Sequence, residues 1–257
     1  MRAGLQATGA DEIGLLSLST GDYTCLPDLL ASLSEEHGAS RVSLSMPSLR
    51  LETLTGGLLD EVREVRRSGI TLAPEAGSAR LRAVINKTFD EDLLLDGIRS
   101  VLSRGWRGIK LYFMCGLPTE QRDDLQGIVD LVHRCRIAAR STCRNATLRV
   151  SVSTFVPKTH TPFQWAAQVT REEADAKQRW LIARLRGKAL EARSNAVHTS
   201  WLEGVISRGD RRVGRTVLEA WRRGARLDGW QDRCDPDLWE GAFAATGVDP
   251  VAIASRW

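Results

Sequence analysis

The first 160 residues alternate between apolar runs of strand length and runs with helical periodicity, and this limits the possible folds more than any other feature. The strand-like runs lie at 12–19, 41–46, 70–73, 109–115 and 147–155. The helical patterns lie at 27–37, 51–65, 78–86, 90–103 and 123–140. Repeated strand–helix units produce parallel strands joined by right-handed crossovers. The sequence therefore predicts an α/β protein, as a doubly wound open sheet or a TIM-like barrel.

In both folds ligands bind at the carboxyl ends of the strands, so the loops that follow the strands are the candidate sites. The loop 74–78 leads from the third strand into a helix, and its Glu75 offers acceptors that suit the hydroxyls of a ribose. Ser78 can cap the helix, and Lys87 can pair with a carboxylate. The same three residues also fit a capped helix with a surface acid and base, and both interpretations stay open.

The strand 109–115 places Lys110 and Tyr112 on one face and apolar residues on the other. Because these polar groups are costly to bury without partners, they either line a polar barrel interior or lie at an exposed end of the strand. The later segment 155–163 is predicted to be extended, since its two prolines disfavour helix, and it contains Lys158 and His160.

Residues after 170 show helical spacing and no strand pattern. One long helix is predicted over 170–195, with shorter ones at 213–223 and 237–245. With 42% hydrophobic residues in 257, the chain can bury a sizeable core. The expected organisation is a barrel-like region over 1–168 and a helical region over 169–257.

The chain has no apolar run near the roughly 18 residues of a membrane helix and no secretory signal, so a cytoplasmic protein is expected. None of its five cysteines forms a C-x₂-C or C-x₃-C-x₂-C motif. A zinc or iron–sulfur site built from cysteines close together in the sequence is therefore excluded. Walker A, G-x-G-x-x-G and G-x-S-x-G motifs are also missing.

Charge is uneven along the chain. Residues 1–130 hold 14 basic and 19 acidic residues, whereas 131–170 hold 6 basic residues and no acid. The segment 131–170 therefore predicts, as an alternative function, a cluster-free binding module for RNA or a protein partner. Charged residues on a solvated surface explain the same pattern.

Six segments follow one another along the chain in a characteristic order: 15–22, 73–78 with Arg82 and Lys87, 116–120, 155–163, 207–212 and 228–230. Together they resemble the radical SAM superfamily, in particular an uncharacterised cobalamin-binding type. The resemblance implies a partial (β/α)₆ barrel of about five parallel strands. It also implies S-adenosylmethionine (SAM) and a reduced 4Fe-4S cluster that cleaves it to a 5′-deoxyadenosyl radical.

The resemblance further implies the residues that bind SAM, each by its position in a matched segment. The expected contacts are Thr20, Gly21 and Asp22 with the methionine amino group, Glu75 and Tyr112 with the ribose, Ser78 nearby, Lys87 with the methionine carboxylate, and Gly116 with the adenine.

The chain departs from this family in one respect. The C-x₃-C-x₂-C motif that holds the cluster is missing, and the first recognisable strand resembles the second of the family. We therefore expect a truncated chain, or a natural loss of the cluster, and no reductive SAM cleavage by this chain alone. Cobalamin is possible in full-length relatives. Another alternative is a TIM-like lyase or aldolase with Lys110 as its Schiff-base lysine.

Overall fold

The structure is a computed structural model that describes residues 2–15, 17, 23–37, 42–45, 70–230 and 233–255. Thr20, Gly21, Asp22 and the predicted helix at 51–65 lie outside the described residues. The predictions made for them stay predictions.

The described residues alternate between strands and helices, as predicted for the first 160 positions. The strands are β1 (Glu12–Gly14), β2 (Ser43–Ser45), β3 (Ile70–Glu75), β4 (Gly108–Cys115), β5 (Thr147–Thr154) and β6 (Leu190–Ser194). The helices of the first half are α1 (Arg2–Thr8), α2 (Leu26–His37), α3 (Ala79–Val84), α4 (Glu91–Ser103) and α5 (Arg122–Thr142). The later helices are α6 (Arg171–Arg184), α7 (Val197–Arg208), α8 (Arg211–Arg222), α9 (Pro236–Thr246) and α10 (Pro250–Ala254), with a 3₁₀ turn at Pro162–Trp165.

These strands pair in parallel. β1 pairs with β2, and a second sheet has the order β3-β4-β5-β6. β3 and β4 are parallel, with Ile70 opposite Ile109. Between β4 and β5, the Thr147 N–H donates to the Arg107 carbonyl and the Phe155 N–H donates to the Cys115 carbonyl. Partners that advance together along both strands indicate a parallel pair, so the predicted α/β class is confirmed.

Burial follows the predicted periodicity. On α4 the buried residues are Leu94, Ile98, Val101 and Leu102, which recur at helical spacing. On β4 apolar residues are buried alternately, whereas Lys110 and Tyr112 are exposed. Both predicted explanations, a polar barrel interior open to solvent and an exposed end of the strand, agree with this exposure.

The prediction of one helix over 170–195 is wrong in its second half. The helix α6 ends at Arg184, and Leu190–Ser194 forms β6. Leucine, alanine, glutamate and arginine favour helix there, but the edge of β5 provides backbone partners. The Leu148 N–H donates to the Ala189 carbonyl, and the Asn195 N–H donates to the Val152 carbonyl. These bonds outweigh the weak local preference.

The chain divides into two compact units. The first is Met1–Phe113, Gln126–Ser151 and Leu185–Ala192; the second is Met114–Leu125, Val152–Arg184 and Arg193–Trp257. Both contain segments from either side of the predicted boundary near residue 168. The second unit has a core from its carboxyl-terminal helices, in which Trp201 and Trp239 pack near Phe243. No helix in the described part of the chain is long and apolar enough to cross a membrane.

Candidate functional site

The candidate site of the first unit begins at an irregularity in β3. Leu72 lies opposite Leu111, but Glu75 lies opposite Phe113, so β3 contains one residue more than β4 over this stretch. Such bulges re-aim side chains and are frequent beside active sites. Tyr112 lies on β4 at the level of the bulge.

Glu75 is the last residue of β3, and its backbone has a conformation that residues other than glycine rarely adopt. Its φ is 66°, in the left-handed region. The Ala76 N–H donates to the Pro74 carbonyl at 2.8 Å, across Glu75. A backbone hydrogen bond that joins residues i and i+2, with a positive φ at the residue between them, defines a γ-turn of the rare and strained form. The backbone here fixes the direction in which the Glu75 carboxylate leaves the strand.

Glu75 and Lys87, which the sequence selected separately, form an ion pair. The Lys87 Nζ lies 2.9 Å from the Glu75 Oε1, with the two side chains 42% and 25% exposed. Among the described residues, nothing binds the other carboxylate oxygen of Glu75. The pair therefore keeps an acceptor suited to hydroxyl groups, and it keeps ammonium protons suited to a carboxylate.

Ser78 begins the helix after this loop. Its Oγ accepts a hydrogen bond of 3.0 Å from the Leu81 N–H, which makes it the N-cap of α3. The capping function predicted for Ser78 is confirmed. Its expected place close to SAM stays a prediction.

A buried arginine holds the loop from behind. Arg82, 2% exposed, donates to the carbonyls of Ala76 at 3.3 Å and Gly77 at 2.9 Å. Its Nη2 lies 2.5 Å from the Glu91 Oε1, and its guanidinium lies 4.5 Å from the centre of the Phe89 ring. Nothing in the sequence indicated a role for Arg82, because a basic residue on an amphipathic helix is ordinarily solvated.

Glu91 balances the charge of Arg82. Burial alone raises the pKa of its carboxyl, but the hydrogen bond and charge of Arg82, with those of Arg134, outweigh burial and lower that pKa. The Arg134 Nη2 lies 2.5 Å from the Glu91 Oε2. Glu91 therefore stays ionised, and it connects Arg82, which holds the loop, to Arg134 on α5.

The same loop is approached closely by α5. A Cβ added to Gly127 would lie 3.0 Å from the Gly77 carbonyl carbon and 3.2 Å from the Ser78 nitrogen. Both contacts are with backbone, which cannot rotate away. Only glycine lets α5 lie so near the loop.

Gly116, in the second unit, lies in a turn whose backbone N–H is bound by a side chain of the protein. Its φ is 80°, and its N–H donates to both carboxylate oxygens of Glu120 at 3.0 Å. The Glu120 side chain is 1% exposed, and the Lys177 Nζ lies 2.7 Å from it. A Cβ on Gly116 would lie 2.6 Å from a methyl group of Val169. These contacts give a structural reason for glycine at position 116. The expected contact of Gly116 with adenine stays a prediction.

The cysteines do not form a metal site in the described residues. No group of three His, Cys, Asp or Glu side chains there could hold a metal ion. Burial, and then the charge of Glu120, raise the pKa of Cys115 to about 12. Burial also raises the pKa of Cys135 to about 12. Both are therefore protonated thiols at neutral pH and weak nucleophiles.

The predicted extended segment after β5 is held by contacts within the second unit. The Phe155 and Phe163 rings meet edge to face at 5.6 Å. Lys158 forms an ion pair with Glu203, and His160 is exposed with a φ of 60°. Lys158 therefore has a partner within the second unit, and the His160 residue is exposed.

Comparison with solved structures identifies the class of fold. SuiB of Streptococcus suis matches 75% of this chain and 41% of its own, with a TM-score of 0.52 and 11% identity. The archaeal Elp3 of Methanocaldococcus infernus, with residues 1–46 deleted, matches 76% of this chain and 50% of its own, with a TM-score of 0.53 and 11% identity. Both have the partial TIM-like fold of radical SAM enzymes, and this chain has the same fold.

One curated relative extends the comparison to sequence. The uncharacterized protein MJ0966 of Methanocaldococcus jannaschii is 25% identical over an alignment of 247 positions that covers 92% of this chain. The match covers 52% of MJ0966, so the chain spans about half the length of the curated relative it matches. No protein-family model matches the chain.

Proposed function

We propose that this chain is the SAM-binding part of a radical SAM enzyme. The observation that carries the proposal is the Glu75–Lys87 pair, held on a strained γ-turn at the carboxyl end of a parallel strand. Ligands of such sheets bind at that end. Glu75 accepts hydrogen bonds from the ribose hydroxyls of SAM, and Lys87 binds its methionine carboxylate.

The chemistry of the pair suits these two groups. One Glu75 oxygen has no partner among the described residues and can accept from a diol, while Lys87 donates one of its three protons to Glu75. Ser78 and Tyr112 belong to the proposal through their positions beside the loop. The roles of Gly116 and of Thr20, Gly21 and Asp22 rest on the family resemblance.

The cluster does not fit this chain. The sequence lacks C-x₃-C-x₂-C, and the described residues contain no group of three His, Cys, Asp or Glu side chains that could hold a metal ion. We therefore assign SAM binding to the chain and no step of cleavage, and we propose that it is inactive alone. The cobalamin-binding type and the cytoplasmic location stay predictions.

Isothermal titration of the 257-residue chain with SAM tests the binding proposal. Glu75→Gln and Lys87→Met each remove a charged contact worth about 1.5–3 kcal/mol, so each weakens binding about 10- to 150-fold. The matched control is Glu191→Gln, which breaks an exposed ion pair with Arg149 in the same unit and leaves SAM affinity unchanged. Absence of binding by the wild type, or equal affinities of all variants, contradicts the proposal.

Glu75→Gly separates folding from binding. Glycine adopts a positive φ without strain, so this variant is expected to be at least as stable as the wild type in urea. It nevertheless loses the carboxylate and binds SAM as weakly as Glu75→Gln. If it binds SAM normally, Glu75 does not contact the ligand.

Anaerobic reconstitution with iron and sulfide tests the proposed inactivity. We expect no 5′-deoxyadenosine from SAM with a strong reductant, and its release would overturn this part of the proposal. The genomic sequence upstream of Met1 tests the expected truncation, because an in-frame C-x₃-C-x₂-C there would supply the ligands.

A further inference from the structure

The helix α8 of the second unit has one buried side and a broad exposed side. Asp210 caps its first turn, and the buried residues are Val213, Thr216 and Ala220, which recur at helical spacing. The helix is therefore fixed against the core of the second unit along a narrow strip, and its other residues face outward.

Three arginines line the side opposite the buried strip. Arg211, Arg215 and Arg222 are exposed, and at 3.6 residues per turn they project from one side of the helix. Among the residues that the structure describes, no hydrogen bond or ion pair engages their side chains. We call these three residues the arginine stripe. At 1.5 Å per residue it is about 16 Å long.

The acids of this helix are already paired with other arginines. Asp210 pairs with Arg212 at 2.8 Å, and Glu219 pairs with Arg223 at 2.9 Å. Glu219 lies one turn from Arg215 and from Arg222, but its carboxylate is bound by Arg223. Among the described residues, neither acid forms an ion pair with a residue of the arginine stripe.

An exposed aromatic and apolar strip borders the arginine stripe. Trp221 is 54% exposed, and Val217 and Leu218 are 42% and 46% exposed. The Arg226 guanidinium lies over the indole, 4.6 Å from the ring centroid of Trp221. A stacked arginine fixes the indole, and the exposed part of the ring remains available to a ligand.

We propose that this face of α8 binds a single-stranded nucleic acid. Phosphates bind along the arginine stripe, and an unpaired base stacks on Trp221. A row of positive charges beside an aromatic platform is complementary to a strand whose phosphates and bases are both accessible. An apolar protein partner would leave the three arginines of the stripe without counter-charges.

In the basic segment 131–170, which gave the RNA alternative in the sequence, three of the six basic residues are paired with acids: Arg134 with Glu91, Arg149 with Glu191 and Lys158 with Glu203. The arginine stripe has no such ion pairs among the described residues, and the exposed Trp221 lies beside it. The inference is independent of SAM binding.

The first test measures the anisotropy of a labelled 12-nucleotide uridine RNA with the full chain at 50–200 mM salt. Three phosphate contacts predict a slope of about −2 for log K against log salt. Replacing the arginine stripe by glutamine is expected to weaken binding more than tenfold at 50 mM salt and to flatten the slope. A control triple variant makes the same change in net charge on exposed residues elsewhere: Arg149→Gln, Arg179→Gln and Arg193→Gln.

The control variant is expected to bind within about threefold of the wild type. Equal losses in the two triple variants, no RNA binding at 50 mM salt, or tighter binding of a duplex than of the single strand would overturn the proposal. Far-UV circular dichroism and urea midpoints establish that each variant is folded.

The second test addresses the aromatic platform. Trp221→Ala is expected to weaken the RNA complex about 5- to 150-fold, since base stacking on an aromatic ring has this effect. An abasic 12-nucleotide strand should bind both proteins equally. Equal RNA binding by Trp221→Ala overturns the stacking role. Self-association of the wild type that Trp221→Ala abolishes, without an effect on RNA, would assign the face to a second copy of the chain.

Discussion

The Arg82–Glu91 ion pair, which holds the loop after β3, gives a quantitative prediction for the variant Glu91→Gln. The change removes the negative charge that faces Arg82 and Arg134 but keeps the size of the side chain and one oxygen acceptor. Arg82 is almost fully buried, so water cannot replace the lost charge. The loop carbonyls of Ala76 and Gly77 would then be bound by an arginine without its carboxylate partner.

The expected cost lies between two limits. Removing one member of a fully buried ion pair costs about 3–5 kcal/mol, and an exposed pair contributes about 0–1 kcal/mol. Arg82 belongs to the first class, whereas the Glu91 side chain is 24% exposed and glutamine can still accept a hydrogen bond. We therefore expect a loss of about 1–3 kcal/mol in the free energy of unfolding.

Urea unfolding at pH 7, with Asp96→Asn as the control, measures this loss. Asp96 lies on the same helix and pairs with Arg99 at 2.5 Å, but both side chains are exposed. Its replacement is expected to cost less than about 0.5 kcal/mol. Hydrogen exchange of the peptide 76–91 should be faster in Glu91→Gln alone. Equal urea midpoints for the two variants would refute the reasoning.

The effect of pH provides a second criterion for Glu91. A carboxyl whose pKa is lower in the folded state stabilises that state above its unfolded pKa, about 4.3. This contribution is lost as the pH falls through the lowered folded pKa. The difference between wild type and Glu91→Gln should thus be full at pH 7 and shrink below about pH 4. A difference that is constant with pH would show that charge is not its cause.

Two further predictions concern glycine and cysteine positions. Gly127→Ala should cost about 1–3 kcal/mol, because its Cβ would meet the backbone of Gly77. Gly214→Ala, with nothing within 4 Å of the added Cβ, should stabilise by about 0.5–1 kcal/mol. Urea midpoints that move in the same direction would contradict one of the two predictions. Iodoacetamide at pH 8 should label the exposed Cys25 rapidly and Cys115 only after unfolding, because burial raises the Cys115 pKa to about 12. Mass spectrometry of the labelled peptides measures both rates, and equal rates would contradict the difference.

The sequence predicted most of the fold because hydrophobic periodicity reports burial directly. The strand at β4 and the helix α4 lie within one residue of their predicted bounds. The strand β6 was missed for a physical reason. Its residues favour helix, and the partner that makes them a strand is an edge of β5 about 40 positions earlier.

The candidate site was predictable in its residue types but not in its contacts. Glu75 and Lys87 were selected separately, and only the structure shows that they pair. Arg82 and Glu120 were not assigned any function, since burial of a charge in a helix or a turn has no signal in a single sequence. Arg82 is buried with Glu91, nine residues away on the next helix, and Glu120 with Lys177, 57 residues away.

The energetics of the Glu75 turn favour a functional role over a purely structural one. A non-glycine residue at a positive φ of this kind costs on the order of 1–3 kcal/mol, and glycine would form the same turn without that cost. The exposed pair with Lys87 contributes at most about 1 kcal/mol in return. The surrounding structure holds the strained turn in place through the hydrogen bonds that Arg82 donates to the loop and through the close approach of Gly127. Stability alone would therefore favour glycine at position 75, and what the strain provides is a carboxylate in a fixed direction at the end of β3.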